Sequence, residues 1–334
     1  MNAAVTGGTG FLGQVLVRLL VREAESVRVL VRRPADVERV RSLGAAPHLG
    51  DLTVAGGCDG LVHPGDVVFH AAARVDVRGR WSEFRETTVE GTRRLLDAAL
   101  RQGPARFVYV GSGGVYLGGK AAGGRPAVCP ARYDLYSRAK LAAEAIVREQ
   151  CDRAGCPWTI LRLGVLYGPG SRSWARYFTA LGQGGWLRLI GDGRNRIATL
   201  YVEDAARAVV LGGAHPQACG KVYDVASEEE VTQRDFVNGL AAAFGLPPVR
   251  REVNRRVARL AACLAESVAR LTGREPAIHR AMIDYVGIDQ VLDTTAIRAE
   301  LGWKPTVTLA EGLRRTAEWY QREGLAGIAG AVAG

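Results

Sequence analysis

Thr6-Gly7-Gly8-Thr9-Gly10-Phe11-Leu12-Gly13 is the stretch on which the reading of this chain turns. A short apolar run at residues 2–5 leads into it. Leu12, Val15, Leu16, Leu19 and Leu20 then follow the i, i+3, i+4, i+7, i+8 rhythm of a helix laid by one face on a sheet. Glycines between a strand and a helix permit a tight turn and let backbone N–H groups approach a pyrophosphate, while the helix N-terminus favours the anion. Gly7, Gly10, Phe11, Leu12 and Gly13 are therefore candidate dinucleotide contacts, in the strand, turn and helix context that gives a glycine motif its weight.

The same alternation continues outward. Residues 27–32, 67–70, 107–110 and 158–163 are short apolar runs, with helical patterns at 81–102 and 136–153 between them. This is the signature of βαβ units, so the expected class is α/β: a Rossmann-type, doubly wound parallel sheet. After Tyr167-Gly168-Pro169-Gly170 come glycine-rich loops, a strand-like run at 221–225 and an arginine- and alanine-rich helical stretch. We expect a dinucleotide-binding domain at 1–163 with 196–226 returning to it. A smaller, discontinuous substrate lobe takes 164–195 and 227–323, and 324–334 is a flexible glycine/alanine tail. Val253, Val257, Leu260, Leu264, Val268 and Leu271 form an apolar stripe on a helix expected over 251–275. Core packing is the leading expectation for it, with a lid over an apolar substrate or contact with a membrane surface as alternatives.

Composition bounds the function classes. The 334 residues are 48% hydrophobic and 23% charged, the balance of a globular chain. The net charge of +10 comes from 44 basic residues, mostly arginine, dispersed without a basic block. That argues against a nucleic-acid partner and suits a phosphate-bearing cofactor. Six cysteines contain no Cys-x-x-Cys pair, as expected of reduced thiols in a cytoplasmic protein. Neither a signal peptide nor an integral membrane segment is expected.

Tyr136-Ser137-Arg138-Ala139-Lys140 sits at a helix start, and its i, i+4 spacing brings Tyr136 and Lys140 to one face. A neighbouring ammonium favours phenolate, easing proton transfer between the phenol and a substrate oxygen. Ser112 ends the strand-like run Val108-Tyr109-Val110-Gly111, at the edge where ligands bind in such folds. Ser112, Tyr136 and Lys140 are the catalytic candidates, with Ser112 orienting the substrate oxygen. The second strand ends in Arg32-Arg33, where NAD-preferring proteins carry an acid on the ribose hydroxyl. Guanidinium groups there suit a 2′-phosphate, so NADP(H) is expected in preference to NAD(H).

These features together resemble the extended short-chain dehydrogenase/reductase family, the NAD(P)-dependent epimerase/dehydratase superfamily. The resemblance also rests on Gly50-Asp51-Leu52, Val68-Phe69-His70-Ala71-Ala72-Ala73, Val89-Glu90-Gly91-Thr92, Leu161-Arg162, Tyr201-Val202-Glu203-Asp204 and Leu301-Gly302-Trp303-Lys304-Pro305. It implies that Asp51 and Leu52 contact adenine and that Ala71, Ala72 and Ala73 line the dinucleotide. It also implies that Lys140 holds the nicotinamide ribose and that Leu163 and Val165 join the cofactor-binding set, and it suggests a homodimer through the helices at 81–102 and 136–153. Nucleotide-sugar members usually carry asparagine where Val165 and Thr88 stand, and proline at Leu163. These departures argue against sugar-diphosphate recognition, and the apolar ones suit a hydrophobic carbonyl substrate. The segment 251–275 and Gly191-Asp192-Gly193-Arg194-Asn195-Arg196 resemble the 3β-hydroxysteroid dehydrogenase and dihydroflavonol reductase branch.

His70 lies in the dinucleotide-lining segment and is not expected to be a catalytic base. His48, His63, His215 and His279 lack metal-ligand spacing, so no metal is expected. Cys151 and Cys156 are read as structural, and the absence of Gly-x-Ser-x-Gly around Ser112 argues against a hydrolase. The function expected is an NADPH-dependent reductase of a small, largely apolar carbonyl substrate. A nucleotide-sugar epimerase or dehydratase is the alternative, and a non-catalytic dinucleotide sensor is a third class.

Overall fold

The strands are β1 (Asn2–Thr6), β2 (Ser26–Val31), β3 (Ala46–Leu49), β4 (Val67–His70), β5 (Arg106–Ser112), β6 (Trp158–Leu163), β7 (Val165–Tyr167), β8 (Leu189–Ile190), β9 (Thr199–Tyr201), β10 (Lys221–Val225) and β11 (Glu252–Val253). Seven of them pair in the order β10-β6-β5-β4-β1-β2-β3, and every pairing is parallel. The order reverses between β1 and β4, which opens a crevice at the carboxyl edge of the sheet. The computed structural model describes residues 1–76, 79–116, 134–171, 188–272, 276 and 278–323. The tail at 324–334 and the lobe residues 172–187 lie outside them.

Strand residues with both faces covered read as continuous apolar runs. Val5, Val29, Phe69, Val108 and Leu161 are fully buried in one core with Leu16, Leu20 and Val209. Those last residues come from α1 (Phe11–Glu23) and, farther along the chain, Val202–Ala214. On the other face, Ala4, Val68, Phe107 and Ile160 pack with Leu95, Leu96, Ala143 and Val147. β3, Ala46-Pro47-His48-Leu49, is not among the expected runs. It forms at the sheet edge, where a proline's missing N–H is tolerated.

α2 is Val37–Arg41. The helix expected over 81–102 is α3 (Trp81–Phe84), a π-helical segment (Arg85–Glu90) and α4 (Gly91–Leu100). α5 is Leu135–Ala154 and α6 is Val202–Ala214. α7 (Gln233–Ala243), α8 (Arg255–Thr272), α9 (Arg280–Gly287), α10 (Thr295–Leu301) and α11 (Leu309–Arg322) complete the chain. Tyr167, Tyr201, Phe236, Leu313 and Tyr320 build the core of the lobe.

Two expectations are corrected. Residues 227–323 do not all belong to the lobe: Ile297, Leu301 and Trp303 pack into the core of the main sheet. The buried Asp204 carboxylate fastens this segment by accepting the Thr306 and Val307 N–H groups, each at 3.2 Å. The apolar stripe of α8 is not core either. Val257, Leu260, Leu264, Val268 and Leu271 are 57–88% exposed, and Val253 lies in β11, before the helix begins. The face turned inward carries small residues, Ala258 and Ala262, which pack on Ile190 and Ile283.

Candidate active site

The glycine loop leaves β1 at the reversal point. Gly7 adopts φ +75°, and a Cβ there would lie 2.6 Å from the Ala72 nitrogen. A Cβ on Gly13 would lie 2.0 Å from the Gly7 carbonyl oxygen, so helix and loop are in direct backbone contact. The loop closes through Gly10 N–H donating to the Gly7 carbonyl at 2.9 Å. No side chain caps α1 and no acid sits in its first turn. Its leading N–H groups and positive dipole end are thus available to an anion. The loop, the uncapped helix and the adjacent Ala71-Ala72-Ala73 backbone fit a dinucleotide pyrophosphate.

Behind the loop lies a buried chain that sequence reading missed. Thr92 Oγ1 donates to the Thr88 carbonyl at 2.6 Å, so it can only accept from His70 Nε2 at 2.8 Å. His70 Nδ1 then accepts from Thr6 Oγ1 at 2.6 Å, and Thr6 Oγ1 also receives the Ala72 N–H at 3.4 Å. Burial, followed by the nearby Lys140 ammonium, lowers the His70 pKa to about 3. The ring is a neutral strut between strand ends, consistent with the reading that it is no catalytic base.

Other expected cofactor contacts fall as follows. Arg32 and Arg33 follow the end of β2 and are exposed, and Arg33 pairs with Asp36 at 2.7 Å. Asp51 turns to its own loop, accepting from Thr53 N–H and Oγ1, each at 2.8 Å. Leu52 is buried against Gly91. Phe11 borders Gly170 from the lobe. Leu163 sits opposite Ser112 in the sheet register and lines a cavity of about 300 Å³. Val165 is buried in the lobe core with Tyr167 and Ile197.

Ser112 ends β5 with its hydroxyl accepting the Gly114 N–H at 3.1 Å. Asp134, a residue the sequence reading did not single out, caps α5 by accepting the Ser137 N–H at 3.0 Å, which sets Tyr136 at the first turn. The Tyr136 phenol hydrogen-bonds Ser112; burial outweighs that bond and pushes the phenol up to about 12. Lys140 is one turn on and 2% exposed. Its Nζ donates to the Val110 carbonyl at 2.8 Å and lies 5.0 Å from the Tyr109 ring centroid. Burial lowers this ammonium to about 7. The expected lowering of the phenol pKa by Lys140 is not found: burial and the Asp134 charge raise it, and only the Ser112 bond opposes them.

The cavity beside Ser112 is walled by Gly113, Gly114, Tyr116, Leu163, Tyr285 and Leu292 among others. The Tyr285 phenol, from α9, is pushed up by burial and then by the fields of Tyr136 and Asp134. Beneath the cavity, Tyr116 donates to Asp224 at 2.9 Å and accepts from Arg162 at 2.6 Å. Arg162 is held by Glu144 through two bonds of 3.0 and 2.5 Å. Of this network, only Arg162 of β6 is singled out in the sequence. Among the described residues no group of three metal-ligating side chains occurs.

A sequence profile of the NAD dependent epimerase/dehydratase family matches residues 3–226. A 2-alkyl-3-oxoalkanoate reductase of Stenotrophomonas maltophilia is 30% identical over 332 residues, covering 94% of this chain and 98% of that one. A 3 beta-hydroxysteroid dehydrogenase/Delta 5-->4-isomerase of Mycobacterium tuberculosis is 28% identical, covering 95% and 89%. In fold the chain is similar to the UDP-glucose 4-epimerase of Thermotoga maritima, solved with UDP-glucose, at TM-score 0.74 and 22% identity over 97% of this chain and 99% of that one. The parallel sheet, the glycine loop at its reversal point and these likenesses converge: the chain belongs to the NAD dependent epimerase/dehydratase family, as an NAD(P)-dependent oxidoreductase of the extended short-chain dehydrogenase/reductase type.

Proposed function

We propose that the protein is an NADPH-dependent reductase of a small, largely apolar ketone. The observation that carries the reading is the Ser112–Tyr136 hydroxyl pair at the end of β5, beside a cavity with Leu163, Ile288, Val291 and Leu292 in its wall. Likeness to a 2-alkyl-3-oxoalkanoate reductase over nearly the whole of both chains supports the substrate class.

The nicotinamide, when bound, supplies the hydride. Gly7, Gly10, Phe11, Leu12 and Gly13 would hold the pyrophosphate, Ala71, Ala72 and Ala73 would line the dinucleotide, and Asp51, Leu52, Leu163 and Val165 would complete the contacts. Arg32 would meet the 2′-phosphate with Arg33 beside it, which favours NADP(H) over NAD(H). Tyr136 gives its phenolic proton to the substrate oxygen as that oxygen gains charge. Ser112 donates to the same oxygen and holds it in line. Lys140, one turn from the phenol and lowered by burial to about 7, would direct its remaining N–H donors to the nicotinamide ribose. Tyr285 and Leu292 limit water at the reacting carbonyl.

The test is an NADPH-oxidation screen over 2-alkyl-3-oxo acids, steroidal ketones and aryl ketones, with UDP-glucose as a control. Ketone-dependent oxidation is expected, and Tyr136→Phe is expected to lose it by a factor of about 10² to 10⁴ while still binding NADPH. A tightly retained nicotinamide with turnover of UDP-glucose alone would assign the site to epimerase chemistry instead. We further propose a cytoplasmic homodimer through α4 and α5, to be checked by sedimentation. No described helix is long and apolar enough to cross a membrane.

A further inference from the structure

α8 is amphipathic in the reverse sense for a helix at a protein surface. Val257, Leu260, Leu264, Val268 and Leu271 fall within an arc of about 80° and run along about 21 Å of the helix. Their exposures are 59, 62, 59, 57 and 88%. The inward face holds alanines and ion pairs: Arg255 and Arg259 reach Asp284 of α9 at 3.5 and 3.3 Å, and Glu266 holds Arg280 at 2.8 Å. Met282 of α9, and Ile278 just before it, are further exposed apolar side chains. A row of large apolar side chains on a convex helix is a surface that awaits an occupant.

Charge selects that occupant. Residues 250–272 contain six arginines and two glutamates, a net +4. Both glutamates are engaged, Glu252 by Arg234 at 2.5 Å and Glu266 by Arg280. Arg250, Arg251 and Arg256 are exposed at the amino-terminal end of the stripe. Beside them, Gly191, Asn254, Arg255, Arg256 and Arg259 line a surface hollow of about 370 Å³. A second copy of this chain would bring the same positive segment and is repelled, whereas anionic headgroups are attracted. An apolar face flanked by arginines is how a helix lies in a bilayer interface.

We infer that α8 docks the protein on an anionic lipid bilayer, its valines and leucines entering the acyl boundary and its arginines meeting lipid phosphates. The surface lies outside the catalytic candidates and does not depend on their assignment. α9, which packs on α8, also supplies Tyr285 to the cavity, so docking sets the substrate cavity beside the lipid.

The full chain is floated with vesicles of phosphatidylcholine and phosphatidylglycerol at 7:3, and with phosphatidylcholine alone. The wild type is expected to co-float with the anionic vesicles, and at least fivefold less with neutral vesicles or in high salt. Leu260→Ser with Leu264→Ser is expected to abolish flotation without moving the thermal transition, because both side chains are exposed. Replacing Arg250, Arg251 and Arg256 with Gln is expected to weaken it on anionic vesicles only. Absence of wild-type flotation, or equal flotation of the serine pair, overturns the inference. A wild-type dimer that the serine pair splits into monomers in buffer also overturns it and assigns the face to a second copy.

Discussion

Acid should unfold this protein partly through one imidazole. His70 has an ordinary pKa of 6.5 when unfolded and about 3 when buried between Thr6 and Thr92. A depressed folded-state pKa means that the unfolded chain takes up the proton first. The stability linked to this ring is therefore complete above pH 6.5 and is lost as pH falls toward 3, at about 1.4 kcal/mol per pH unit. Between pH 7.5 and 4.5 the loss is about 3 kcal/mol. Because pH 4.5 still lies above the folded-state value, that figure rests almost wholly on the unfolded pKa. His70→Asn keeps a polar partner for Thr6 but cannot take up the proton. At pH 7.5 the variant should be less stable by about 2 kcal/mol, from the lost Thr92 bond and the vacated ring volume. The assay is urea unfolding of both proteins at pH 7.5, 6.5, 5.5 and 4.5, followed by tryptophan fluorescence. Carboxylate titration is common to both proteins and cancels in the difference. The wild type should keep only about 0.6 kcal/mol of its advantage at pH 5.5 and fall below the variant at pH 4.5. Parallel stability curves across this range would refute the buried, neutral strut.

Gly13→Ala should remove dinucleotide binding and lower the melting temperature, since its Cβ would overlap the Gly7 carbonyl; NADPH fluorescence titration and calorimetry check this, and a variant with wild-type affinity would contradict the loop geometry. Glu144→Gln leaves the buried Arg162 guanidinium short of its counter-charge and should cost about 3 kcal/mol in urea unfolding; a loss below about 1 kcal/mol would mean that Asp224, acting through Tyr116, suffices. Arg32→Asp with Arg33→Ala should shift the ratio of kcat/KM for NADPH over NADH by at least tenfold toward NADH; an unchanged ratio would remove these arginines from cofactor choice.

What was legible in the sequence was local. The glycine loop, the apolar runs of the central strands and the Tyr136/Lys140 spacing each lie within one element and its turn, where period and residue type are sufficient. β3 escaped because its proline masks a strand that only the sheet edge permits. The strut of Thr6, His70 and Thr92 and the chain from Asp224 through Tyr116 and Arg162 to Glu144 escaped because their members lie far apart in the sequence. Spacing also put Lys140 on the face of Tyr136, but not that its ammonium turns to the Val110 carbonyl. The stripe of α8 is the clearest case: periodicity established that one face is apolar and left open which side would be covered. Facing is settled by the neighbour, and here α9 offers Asp284, Arg280 and Ile283 to the alanine side, so the leucines are left outward.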